Sequence, residues 1–65
     1  MKVLSPYSLA VVYAVRGDAD RAISYLHKSA DLREATILLV KVERAFDRVR
    51  QDERFVALER QIGLL

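Results

Sequence analysis

His27 and Asp31 stand four residues apart, a spacing that brings two metal-ligand side chains to one face of a helix. A stable zinc site takes three or four protein ligands, and the chain has no second histidine and no cysteine to complete one. Ser24 is a helix neighbour of both His27 and Lys28, so a hydroxyl and a base could meet. Nothing around them resembles a nucleophile elbow or an oxyanion site, which acyl transfer would need as well. The two glycines, at positions 17 and 63, stand alone, so no glycine-rich loop is present to cradle a phosphate. The carboxylate pairs Asp18/Asp20 and Asp52/Glu53 fall where helices should begin, and there capping and the helix dipole favour acids for structural reasons. No catalytic residue, metal-ligand set, cofactor site or small-molecule substrate is therefore expected. Arg50 has Asp47 and Glu53 three residues to either side. Together with Arg54 it is expected to tie the last helix to the third rather than to recognise a ligand.

The rest of the composition fits that reading. At 65 residues the chain holds one domain, spanning 1–65. A chain this short buries only about 60% of its unfolded surface, so its core stabilises it marginally. The absence of cysteine gives no reason to expect an oxidising compartment, and a cytoplasmic location is expected. Net charge is only +2, and between Lys41 and Arg60 six bases alternate with five acids. Phosphate recognition needs a patch of one sign, so nucleic acid is not expected as a partner. The longest apolar run, Leu9 to Val15, is far short of the ~20 residues that span a bilayer, which argues against a membrane. Lys2 upstream of it gives a faint signal-peptide likeness. Pro6 and Ser8 interrupt that pattern, and Arg16-Gly17-Asp18 is a poor cleavage site.

The remaining pattern is all-α, rich in Ala, Leu, Arg, Glu and Lys. Ser5-Pro6 opens a first helix running to about Arg16, with serine as cap and proline at the first helical position. Gly17 stops it. Asp18 caps a second helix, Ala19 to Ala30, whose apolar residues Ala19, Ala22, Ile23, Leu26 and Ala30 form one stripe. The short link makes residues 5–30 an antiparallel helical hairpin. Residues 31–65 are expected to add two further short capping helices. Asp31-Leu32-Arg33-Glu34 has capping-box spacing and predicts a third helix over about Leu32–Glu43, apolar on most sides and therefore buried. Ala45 to Arg50 continue as a helical turn or a short helix. Asp52 caps the last helix, Glu53 to about Ile62, with Phe55, Leu58 and Ile62 inward and Gly63 at its end.

The hairpin carries Leu9, Ala10, Tyr13, Gly17-Asp18, Ala22 and Leu26 at the spacing of a tetratricopeptide repeat, which it resembles. Small residues at 10 and 22 let the two helices approach closely. Pro6, Ser29 and Glu34 depart from that repeat, which favours a large aromatic, an alanine and a proline there. Ser5-Pro6-Tyr7, Gly17-Asp18-x-Asp20-Arg21-Ala22, Leu39-x-Lys41-Val42, Phe46-Asp47-x-Val49-Arg50, Asp52-x-Arg54-Phe55 and Gly63-Leu64 form a wider pattern. As a set they resemble the closing segment of bacterial multidomain proteins that end in tetratricopeptide arrays. Arg44 and Glu53 stand where such segments tend to have proline. The resemblance implies a non-catalytic scaffold for protein contacts, or alternatively a structural cap that closes a longer array or self-associates.

At ~100° per residue, the first helix has two apolar sides. Leu9, Ala10 and Tyr13 should pack on the second helix. Tyr7, Val11, Ala14 and Val15, with Leu4, lie about a third of a turn away, and the third and fourth helices either fold back over them or leave them open. An open apolar stripe marks an interaction site. The expected occupant is a protein or peptide segment, or a second copy of the chain in a homodimer.

Overall fold

The computed structural model describes residues 5–63. Three α-helices, α1 (Pro6–Val15), α2 (Ala19–Asp31) and α3 (Glu53–Gln61), are joined by a hairpin turn and by a segment of 3-10 helix. Among the described residues there is no strand, and the fold is all-α.

The hairpin forms as its end signals dictate. The Ser5 hydroxyl accepts the Ser8 N–H at 3.3 Å, with Pro6 at the first helical position. The Gly17 N–H donates to the Ala14 carbonyl and the Asp18 N–H to the Tyr13 carbonyl, a paired closure that Gly17 permits with φ +78°. Asp18 then caps α2 through the Arg21 N–H at 3.1 Å. The two helices pack along most of their length, and Ala10 and Ala22 are wholly buried.

The second half departs from expectation. Asp31 is the last residue of α2 and does not cap a third α-helix. Arg33 has φ +55°, and α2 closes as α1 does, with the Arg33 N–H on the Ala30 carbonyl and the Glu34 N–H on the Ser29 carbonyl. The chain then forms a long 3-10 helix, Ala35–Lys41, a short one, Arg44–Phe46, and hydrogen-bonded turns to Asp52. A 3-10 helix repeats every three residues, so side chains three apart share a face. Ile37, Val40, Phe46, Val49, Phe55 and Leu58 are all buried, and all lie on one three-residue register. The two other positions of that register within 37–58 are Glu43 and Asp52, whose side chains cap the short 3-10 helix and α3. The register replaces the all-round burial expected here, and Leu38 and Leu39 face outward. Thr36, Ile37, Val40 and Val42 are β-branched, which weakens the competing α-helix.

This segment folds back over α1. Tyr7 meets Phe46 edge-on with ring centroids 5.8 Å apart, and Phe46 meets Phe55 at the same distance. Glu34 Oε1 accepts the Tyr7 N–H at 3.2 Å, giving α1 a cap from 27 residues away. That contact gives Glu34 a role at the position where the repeat pattern has proline. Arg50 fastens the segment to itself, donating to the Val40 carbonyl at 3.1 Å, to the Glu43 carbonyl at 2.7 Å and to Asp47 Oδ1 at 3.2 Å. Arg54 joins α3 to α2 through Asp20 at 2.7 Å.

Candidate functional site

The stripe expected to receive a partner is largely inside the protein. Tyr7 is only 7% exposed and Ala14 is wholly buried, while Val11 is half-buried against the core. Val15 alone of the described set is exposed, and Leu4 lies outside the described residues. The cause is the fold-back: Phe46 and its neighbours pack on α1 beside α2 and cover Tyr7. The folded chain therefore presents no docking surface made of Tyr7, Val11, Ala14 and Val15. Burial also pushes the Tyr7 phenol above its ordinary pKa, helped by the Glu43 carboxylate and opposed by Arg50. Its hydroxyl has no hydrogen-bond partner among the described residues.

Two other surfaces replace that stripe. The first is the outward side of the long 3-10 helix. Leu38, Leu39 and Val42 are exposed there, Val42 at 73%, and Leu32 at the end of α2 is exposed as well. They are aliphatic residues that the three-residue register turns away from the core. On α1, Val12 and Val15 form a smaller exposed pair one turn apart.

The second surface belongs to the hairpin and combines rings with cations. Tyr13 of α1 and Tyr25 of α2 stack face to face, with centroids 5.6 Å apart and planes parallel within 1°. The Arg21 guanidinium lies over the Tyr13 ring at 5.6 Å, and the Lys28 ammonium over the Tyr25 ring at 5.0 Å. Residues 21, 25 and 28 follow the i, i+4, i+7 spacing of one helix face, and helix packing brings Tyr13 to them. Both tyrosines are half-buried and both cations exposed. Asp18 approaches Arg21 Nε only to 3.8 Å, beyond hydrogen-bond length. The search for catalytic and docking residues in the sequence passes over Tyr25. The spacing of Arg21, Tyr25 and Lys28 is the signal that finds it.

Arg50, Arg54 and their carboxylate partners serve the fold. Arg54 donates to both Asp52 oxygens, at 3.0 and 2.9 Å, and these bonds hold the Asp52 carboxyl below its usual range. The same bonds, followed by the one to Asp20, raise Arg54 in turn. Arg50 pairs with Asp47 rather than Glu53, and its guanidinium sits 5.7 Å from the Phe55 ring centroid. His27 is half-buried, and among the described residues no group of three metal-ligating side chains comes together. Nor is any described helix long and apolar enough to cross a membrane.

No protein-family model matches this chain, and neither a curated protein nor a solved structure shows significant similarity to it.

Proposed function

We propose that this chain is a non-catalytic protein-binding module of tetratricopeptide type, which docks a segment of another protein on its outer surface. The observation that supports this reading is the exposure of Leu32, Leu38, Leu39 and Val42 on one short stretch of chain. Scattered apolar residues are ordinary on protein surfaces, whereas clustered ones mark contact sites. The helical hairpin, with Ala10 and Ala22 buried between its helices, fits the scaffold that the sequence resemblance implies.

A second reading, self-association or closure of a longer helical array, is favoured by the exposed pair Val12 and Val15 on α1. One set of measurements separates the two. Selection of peptides from a random library on the intact domain should enrich binders whose affinity falls on Leu39→Glu, while sedimentation shows a monomer. Concentration-dependent association abolished by Val15→Glu would instead support the second reading. A monomer that enriches no peptide would overturn both.

A further inference from the structure

The stacked tyrosines and their two cations make a surface of definite chemistry. Aromatic faces hold the Arg21 and Lys28 side chains close to fixed positions, which reduces the entropy lost when those cations bind something. Arg21 has only a long, exposed ion pair with Asp18 at 3.8 Å, which leaves most of its donors open to a further carboxylate, and Lys28 has no ion pair among the described residues. Tyr13 and Tyr25 each carry a hydroxyl that can donate as well. Donors and positive charge of this kind fit carboxylates.

The spacing says more. Arg21 and Lys28 stand seven positions apart on α2, a backbone rise of ~10 Å. A segment that satisfies both must carry two carboxylates set several residues apart, as an extended acidic peptide does. Bound nucleic acid fits less well. Single strands bind by stacking bases on open aromatic faces, and here the rings stack on each other and under the cations.

We propose that the Arg21–Tyr13–Tyr25–Lys28 face binds an acidic peptide segment, its carboxylates paired with the two cations and its backbone lying along the tyrosine edges. This rests on the protein-binding reading and adds the chemistry of the partner. It also places that partner on the hairpin, away from the aliphatic side chains of the 3-10 helix.

The test is an amide-resolved NMR titration of the whole chain with a short oligo-glutamate peptide. Oligo-glutamine and an oligo-thymidylate of equal length serve as comparisons. Shifts confined to the neighbourhood of Leu9, Tyr13, Arg21, Ser24, Tyr25 and Lys28 are expected. Loss of one charge-assisted hydrogen bond is worth about tenfold or more in affinity. Arg21→Gln and Lys28→Gln should each weaken binding by that factor, while Arg48→Gln/Arg60→Gln removes the same kind of charge elsewhere with little effect. All four side chains are exposed, and the spectrum of each variant reports its fold directly. Equal weakening by the Arg48/Arg60 variant, or shifts spread over every cation, would overturn the proposal. Tighter binding of oligo-thymidylate would overturn it in favour of nucleic acid. Library-selected peptides that bind the domain but are indifferent to Arg21 and Lys28 would overturn this inference and leave the protein-binding reading standing.

Discussion

Arg50→Ala should be among the most damaging single substitutions outside the apolar core. The Arg50 guanidinium donates to two main-chain carbonyls, Val40 and Glu43, and lies over Phe55. Its side chain is only 28% exposed, so water replaces those bonds poorly. Hydrogen bonds to a charged group contribute about 1.5–3 kcal/mol each, and the ring contact about 0.5–1 kcal/mol. The ion pair with Asp47, itself 64% exposed, adds at most a few tenths. Allowing for partial resolvation of the carbonyls, truncation should cost about 2–4 kcal/mol. A chain of this length holds only about 3–10 kcal/mol in total. At about 4–8 °C per kcal/mol for a small domain, the thermal midpoint should fall by about 8–32 °C. Circular dichroism melts measure this directly. Arg50→Lys should recover less than half of the loss, because one ammonium cannot reproduce the fork that spans both carbonyls. Asp47→Asn should change stability by less than about 0.5 kcal/mol. A midpoint for Arg50→Ala within about 4 °C of the parent would refute the argument. So would a loss reproduced by Asp47→Asn, which would place the energy in the surface pair.

Arg33→Gly should stabilise the chain by about 0.5–1 kcal/mol. A left-handed residue with a Cβ costs about 1–2 kcal/mol at φ +55°, and the extra freedom of glycine in the unfolded chain offsets part of the relief. An unchanged or lower urea midpoint would contradict it. Acidification should destabilise the fold partly through Asp52. The Arg54 bonds depress its folded pKa below the unfolded value of ~3.9, so its contribution is present above that value and lost as pH falls through the folded one. Asp52→Asn should therefore lose less stability between neutral and strongly acidic pH than the parent. Identical acid limbs in urea titrations would exclude that role.

The hairpin was legible because its boundaries are written in residues with few alternatives. Ser5-Pro6, Gly17-Asp18 and the small pair Ala10 and Ala22 each have one natural place in two packed helices. Asp52, Gly63 and the inward Phe55 and Leu58 marked the last helix for the same reason. Between them the signals competed. Asp31 and Glu34 have capping-box spacing, yet Arg33 takes the left-handed turn that glycine usually supplies, and nothing about an arginine announces that. The apolar cluster from Ile37 to Val40 looked like a helix buried all round. Its true pattern is visible only across a longer window, where every third residue from Ile37 to Leu58 is a core side chain or a cap.

That three-residue register also explains why the expected docking stripe disappeared. A helix wheel drawn for α1 alone shows two apolar sides and a use for only one of them. The second use lies 39 positions downstream of Tyr7, at Phe46, in a segment whose inward residues recur every 120° rather than every 100°. Once Phe46 covers Tyr7, α1 packs on both α2 and the short 3-10 helix, while Val12 and Val15 stay exposed. Tyr7 and Ala14 are thereby closed to a partner, and the exposed apolar and cationic side chains lie around the rim of the fold. There the chain presents two chemically different surfaces on different elements, aliphatic on the long 3-10 helix and cationic-aromatic on the hairpin. Because no side chain belongs to both, Leu39→Glu and Arg21→Gln perturb them independently. If a single partner spans both surfaces, the two losses should add, as expected for sites without shared neighbours.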